Sequence, residues 1–149
     1  MLTALGVSKL NIFETFKARW IKEELDVHPA KDERAIVECF ESFGVSPSED
    51  LLALYSIVDG KDCMDGEHFR LWSLDEIREQ NSSDKRIDSA KKFGVLFGDY
   101  CVDCWCYRIN SKGEVLVDYF VKDREPKLRS KSLTEFFKLM EKSPDEALL

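Results

Sequence analysis

The chain has 149 residues, with 22 Lys and Arg against 29 Asp and Glu, so its formal net charge is −7. This length suits a single domain, residues 1–149, which can bury a hydrophobic core without disulfides or metal. The composition, 44% apolar and 34% charged, argues against a disordered chain and a membrane protein, and the acidic balance argues against a nucleic-acid partner.

Two helices are predicted in the first third of the chain. Over residues 8–26, apolar side chains from Leu10 to Trp20 step by three or four and form one stripe. A second stripe predicts a helix over residues 32–43, and Gly44 is its expected stop.

The third helix has a sharp predicted start. Ser46, Pro47 and Glu49 form a capping box, with Ser46 as the N-cap and Pro47 at the first helical position. Asp59 and Gly60 then end this helix.

A short strand and a short helix are predicted next. The strand covers residues 68–72, and a second capping box that begins at Ser73 predicts a helix toward Gln80. Residues 81–88 are polar, so they predict a surface loop.

A run of strands follows in the second half. Residues 93–97 and 100–109 are apolar, and the second segment is apolar on both faces, as in a central strand. Turn residues at 110–113 predict a hairpin whose partner strand covers residues 114–121. Residues 123–131 are charged and predict a loop.

A third capping box, which begins at Ser132, predicts a final helix that ends near Ser143 and Pro144. Helices, then sequential strands, then a helix predict an α+β fold, with a mainly antiparallel sheet of about four to six strands packed against helices.

The cysteines indicate the cellular compartment and raise the question of a thiol or zinc site. They are Cys39, Cys63, Cys101, Cys104 and Cys106. An odd number of cysteines, with no positive charge before Lys9 to suggest a signal peptide, predicts reduced thiols in the cytoplasm. Cys101, Cys104 and Cys106 favour a buried strand that uses them as small apolar residues. A thiol or zinc site built on them is the alternative, but no second ligand pair is present, so we expect no metal and no cofactor.

No pattern in the sequence assembles an active site. A Gly-rich phosphate loop, G-x-S-x-G and H-E-x-x-H are absent. Cys39 or Cys63 could pair with His28 or His68 as nucleophile and base. Cys39 lies beside the apolar stripe of the second helix, where packing is the simpler interpretation. The residues therefore predict a protein that is not an enzyme.

Six segments in a fixed order, within residues 8–142, carry a family resemblance. They are Phe43-Gly44-Val45, Ser46-Pro47-Ser48-Glu49-Asp50-Leu51, Asp59-Gly60, Phe69-Arg70-Leu71-Trp72-Ser73-Leu74-Asp75-Glu76-Ile77, Lys112-Gly113-Glu114-Val115 and Ser132-Leu133-Thr134-Glu135-Phe136-Phe137. This ordered set resembles the SUKH superfamily, which contains the Smi/Knr-type cell-wall-assembly regulators and many bacterial immunity proteins. Ser46 stands where that family usually has leucine before the proline.

The resemblance implies a non-enzymatic, single-domain α+β protein that works by binding another protein. In bacteria it implies an immunity protein that binds and neutralises a cognate toxin. In fungi it implies a regulatory adaptor with several weaker partners.

The acidic segment at residues 59–67 is the main candidate for a binding surface. A calcium loop is excluded, because Lys61 and Cys63 occupy two of the positions that need oxygen ligands. A solvated loop is the ordinary interpretation. A surface for a basic partner, such as the domain of a toxin nuclease, is the alternative, because an acidic field attracts and steers such a partner.

The candidate protein-binding residues are six acids and one tryptophan that would act as an aromatic anchor. They are Asp59, Asp62, Asp65, Glu67, Trp72, Asp75 and Glu76. Interface hot spots favour tryptophan, but Trp72 also fits a core position under the sheet.

Overall fold

The computed structural model describes residues 4–149, with side chains described from Ile12 onward. In chain order, the elements are α1 (Ala4–Lys22), α2 (Glu33–Glu41), α3 (Glu49–Tyr55), β1 (Phe69–Leu71), α4 (Leu74–Gln80), α5 (Asp84–Phe93), β2 (Val95–Tyr100), β3 (Trp105–Ile109), β4 (Val115–Asp118), β5 (Lys127–Ser130), α6 (Leu133–Lys142) and α7 (Pro144–Leu148). The strands form one sheet in the order β1-β2-β3-β4-β5, and each pairs antiparallel with its neighbour in the chain. The predicted α+β fold with an antiparallel sheet packed against helices is confirmed.

One face of the sheet packs on α1 and α6 through aromatic side chains. Phe16 lies 5.0 Å from Phe137 between ring centroids, and Phe69 lies 6.0 Å from Phe136, both in edge-to-face geometry. Tyr107 of β3 lies 5.3 Å from Phe136 and is fully buried, like the four phenylalanines. Edge-to-face pairs add to the free energy gained by burying their area, so this face forms the hydrophobic core.

The opposite face of the sheet carries buried ion pairs. The guanidinium of Arg70 in β1 makes two hydrogen bonds to Asp99 in β2, at 2.6 and 3.2 Å. Arg108 in β3 donates to Asp118 in β4 at 2.8 Å and to the Gly94 carbonyl. Helix α5 reaches this face, where Ser89 accepts a hydrogen bond from Arg108.

The capping boxes position several helices. Ser73 and Ser132 cap α4 and α6 as predicted, each accepting from the third helical N–H. The predicted N-cap of the third helix was wrong. Ser48, not Ser46, has the extended backbone and accepts from the Leu51 N–H, whereas the Ser46 N–H donates to Ser111. The helix therefore begins two residues later than the sequence predicts, and it ends at Tyr55 rather than at Asp59 and Gly60.

Two predicted loops contain regular structure. Residues 81–88 are not a loop throughout, because Ser83 caps α5, which begins at Asp84. This helix has few apolar positions, so its stripe is weak in the sequence. Within residues 123–131, Lys127–Ser130 forms β5 at the edge of the sheet, where charged residues are common. Helix α7 was also missed beyond the predicted end near Ser143 and Pro144.

The first helix and the first strand of the run differ from their predicted bounds. Helix α1 begins at Ala4 and ends at Lys22, not near residue 26. The side chain of Leu10, part of the predicted stripe, lies outside the described side chains. Strand β2 begins at Val95, because Gly94 ends α5 with a φ of +110°.

The cysteine-rich segment is not a continuous strand, so the prediction for residues 100–109 was wrong. Tyr100 pairs with Trp105 across a hairpin, and residues 101–104 form the turn between them. Cys101 and Cys104 are exposed, and only Cys106 is buried as the strand interpretation requires. The chain reverses direction with a left-handed backbone at Cys101, Val102 and Asp103. Turns usually place glycine at such positions.

Candidate functional site

The acidic loop, residues 59–67, folds against the segment that follows α1. Val27 and Lys61 form an isolated antiparallel bridge. The His28 N–H donates to the Gly60 carbonyl at 3.0 Å, and the Asp62 N–H donates to the Asp26 carbonyl at 3.2 Å. These backbone bonds fix the course of the loop, so it is not a freely solvated connection.

A buried lysine lies inside this loop. Lys61 is 1% exposed, and its Nζ donates to the carbonyls of Phe69 at 2.6 Å and Cys63 at 3.2 Å. Nζ also lies 3.7 Å from a carboxylate oxygen of Asp65 and 4.6 Å from the ring centroid of Trp20. Desolvation lowers the pKa of Lys61 to about 8.

Asp65 holds the loop onto α1. One carboxylate oxygen accepts from the Trp20 indole N–H at 2.9 Å, and the other accepts from the backbone N–H groups of Glu67 and Phe69. Asp65 is 6% exposed. Its carboxylate is therefore a structural group that faces inward, although the sequence offered it as a partner contact.

Asp59 and Trp72 also face inward. Asp59 accepts from the Leu74 N–H at 2.8 Å, which satisfies a free donor at the start of α4. Burial is the main cause that raises the pKa of Asp59. Trp72 is fully buried, as the core interpretation predicts, so its side chain is not placed to anchor a partner. Its indole N–H has no hydrogen-bond partner among the described residues.

The remaining four candidates reach the surface to different degrees. Asp62 and Glu67 are exposed on the acidic loop. Asp75 is exposed on α4 and lies 3.5 Å from Arg78, whereas Glu76 is partly buried and ion-paired with Arg70 at 2.9 Å. The structure therefore separates the loop acids from the α4 acids, whose charge is partly neutralised by arginine.

Asp62 is linked to His28. The Nε2 atom of His28 lies 2.7 Å from a carboxylate oxygen of Asp62. This hydrogen bond is the main cause that raises the pKa of His28 and lowers the pKa of Asp62. The charge of His28 is therefore coupled to that of Asp62 at the surface of the loop.

Other exposed acids join Asp62 and Glu67 at this surface. A carboxylate oxygen of Glu23 accepts from the Gly66 N–H at 3.2 Å, and Asp145 and Glu146 line one surface hollow with Glu67. We call this set the acidic face; its members are Glu23, Asp26, Asp62, Glu67, Asp145 and Glu146. Sequence reasoning missed four of them, because only tertiary packing brings the ends of α1 and of the chain to the loop.

A positively charged cavity lies elsewhere in the molecule. Its volume is about 610 Å³, and it lies between α5 and the segment that follows β4. Its cationic lining residues are Lys85, Arg86, Arg108, Lys122 and Arg124. None of the seven sequence-predicted site residues lines it, so the acidic face and this cavity are distinct regions.

The cysteines do not form a common ligand set. Cys106 is buried opposite Asp99 and Asp118 of the neighbouring strands, whereas Cys101 and Cys104 lie on the exposed turn. Across the described part of the chain, no three His, Cys, Asp or Glu side chains come together as a possible metal site. Cys39 is buried, and desolvation raises the pKa of its thiol to about 11, which suits a packing residue.

Between residues 4 and 149, no helix combines the length and apolar character needed to cross a bilayer. A scan against protein-family models found no matching family, and a search of curated proteins found no matching relative.

Proposed function

We propose that the chain is a protein-binding module that binds a basic protein domain through the acidic face. We further propose that it acts as an immunity protein, neutralising a cognate toxin, with a nuclease as the favoured class. The observation that carries the proposal is the acidic face itself: six exposed carboxylates from three separate parts of the chain lie around one loop.

The support under this face favours binding without large rearrangement. Asp65 and Lys61 hold the loop through five hydrogen bonds to α1, to its own backbone and to the start of β1. A surface that is ordered before binding loses less conformational entropy when a partner docks. Glu67, whose N–H bonds to Asp65, is therefore held on a fixed backbone.

Charge selects the class of partner. The chain has a net charge of −7, and the acidic face concentrates part of it at one place. A nuclease must bind phosphates, so its active surface is cationic. An acidic partner that covers this surface would block substrate entry, and the opposite charges would speed the encounter.

The assignment to the SUKH superfamily remains part of the proposal. It is supported by the ordered motifs in the sequence, including the Ser-capped starts at residues 73–77 and 132–137. A regulatory adaptor with several weak partners is the alternative outcome of the same experiment.

The test captures partners with the tagged protein from a lysate of its own cells, followed by identification by mass spectrometry. The informative variant is Glu67→Lys with Glu146→Lys on the acidic face. The control variant, Glu41→Lys with Glu125→Lys, makes the same change in net charge at two exposed positions outside that face.

We expect the wild type and the control variant to retain one stoichiometric partner through a stringent wash, and the acidic-face variant to lose it. The partner should be basic, and toxic when expressed alone. Several weak partners would favour the adaptor. Equal retention by both variants would contradict binding through the acidic face.

A further inference from the structure

The turn at residues 101–104 presents two thiols on an unusual backbone. All four of its residues are exposed, and Cys101 and Cys104 occupy its first and last positions. The φ angles of Cys101, Val102 and Asp103 are +50°, +51° and +66°. Three successive non-glycine residues in the left-handed region are rare, and a β-branched residue there is a clear outlier.

Burial does not explain this strained backbone. Val102 is 57% exposed, so no packing of its side chain repays the conformational cost. The turn is held at its ends by backbone hydrogen bonds from Cys101 to His68 at 2.8 Å and from Cys104 to Tyr100 at 3.1 Å. Backbone outliers of this kind concentrate at functional positions.

The turn brings the two cysteines together. The Cys104 Sγ donates to the Cys101 carbonyl at 3.2 Å, so the Cys104 side chain folds back over the start of the turn. A four-residue turn places its first and last Cα atoms within about 7 Å. Disulfides span Cα separations of about 4.4–6.8 Å, so closing this ring needs little backbone movement.

The other cysteines differ in ways that isolate this pair. Cys39 and Cys106 are buried, and Cys63 is exposed on the acidic loop. Burial raises the pKa of Cys106 to about 12 and keeps its thiol away from solvent. Desolvation and a hydrogen bond with Cys101 also raise the pKa of Cys104, but the Cys104 side chain is exposed. Cys101 and Cys104 are thus two accessible thiols held as neighbours, with Cys63 as a natural single-thiol comparison.

We propose that Cys101 and Cys104 are a dithiol oxidation site, which low-molecular-weight disulfides convert to a disulfide within the turn. A thiolate of the pair attacks one sulfur of the small disulfide, forming a mixed disulfide and releasing one small thiolate. The second cysteine then attacks the mixed disulfide at the protein sulfur and releases the second small thiolate. Two electrons pass from the protein to the oxidant, the two protein protons go to the released thiolates, and the turn gains one S–S bond.

Oxidised glutathione is the probe that tests this site. The reduced full-length chain is incubated with it, quenched with an alkylating reagent and examined by intact mass and peptide fragmentation. We expect the segment with Cys101 and Cys104 to lose two hydrogen atoms and retain no glutathione. Cys63 should instead carry one glutathione, because it has no resolving neighbour in the turn.

Two single variants make the test decisive. In Cys101→Ser and Cys104→Ser, the remaining turn thiol should retain glutathione, since nothing resolves the mixed disulfide. Both positions are exposed, so these variants should fold. The proposal is overturned if the wild-type turn carries stable glutathione, or if it stays reduced while Cys63 is modified.

Discussion

The acidic loop and the turn at residues 101–104 lie close together, but they differ in where their side chains point. The Cys101 N–H donates to the carbonyl of His68, the residue that immediately follows the acidic loop. The acidic loop turns a lysine and two aspartates inward and satisfies them with hydrogen bonds. The turn exposes all its side chains on a strained backbone. Buried charges therefore stabilise the acidic loop, whereas the turn leaves the thiols of Cys101 and Cys104 accessible to solvent.

The largest expected effect tests the inward charges of the loop. Asp65→Ala removes three hydrogen bonds and leaves Lys61 buried without its carboxylate, so it should lower the free energy of unfolding by roughly 3–5 kcal/mol. Urea denaturation measures this loss. The control, Asp62→Ala, removes an exposed acid and should cost under about 1 kcal/mol. Similar losses in both variants would erase the distinction between structural and surface acids.

The pH dependence of stability sharpens the same point through Lys61. Its native pKa is about 8, below the value of about 10.4 expected in an unfolded chain. Between these values the unfolded state binds more protons, so the free energy of unfolding should rise with pH, by at most about 1.4 kcal/mol per unit. Denaturation at several pH values should show this rise in the wild type. If the free energy of unfolding still rises with pH in Lys61→Met, titratable groups other than Lys61 cause the rise.

A smaller effect tests the strain of the turn. The left-handed backbone at Val102 costs a β-branched residue about 1–2 kcal/mol, and Val102→Gly removes this strain. Glycine itself costs about 0.5–1 kcal/mol of conformational entropy, which offsets part of the gain. The free energy of unfolding should therefore increase by roughly 0.5–1 kcal/mol. Val121→Gly is the matched control, because Val121 is similarly exposed without a positive φ, and it should destabilise. Destabilisation by both changes would show that the turn is not strained.

The smallest effect concerns the pair of His28 and Asp62. The folded-state pKa of His28 is raised, so the pair stabilises the fold below the unfolded pKa of about 6.5 while Asp62 is ionised, and this contribution is lost as pH rises through the raised value. Asp62→Asn should lower the pKa of His28 toward its ordinary value, as followed by NMR of the imidazole. An unchanged titration would mean that Asp62 does not control His28.

Local chemistry explains which elements could be predicted from the sequence. Ser73 and Ser132 cap their helices through contacts within three residues, so the pattern alone is informative. The sequential hairpins likewise follow from short connections. Helix α5 was missed because its face is mostly charged, and the hairpin turn was missed because it contains no glycine, proline or asparagine.

The candidate site was less predictable, because its geometry depends on distant contacts. Lys61 can be buried because its ammonium group is surrounded by the Phe69 and Cys63 carbonyls and by Asp65. Asp145 and Glu146 join Glu67 from the far end of the chain. Composition places acids outside by default, and it cannot distinguish a carboxylate that accepts three hydrogen bonds from one that faces solvent.

The proposal that the acidic face steers a basic partner is tested most directly by the association rate constant at low and high salt, using the captured partner. The wild type should associate at least about tenfold more slowly at high salt, because screening removes long-range attraction. The Glu67→Lys, Glu146→Lys variant should lose more of this salt dependence than the Glu41→Lys, Glu125→Lys control. A rate that does not change with salt would contradict the account.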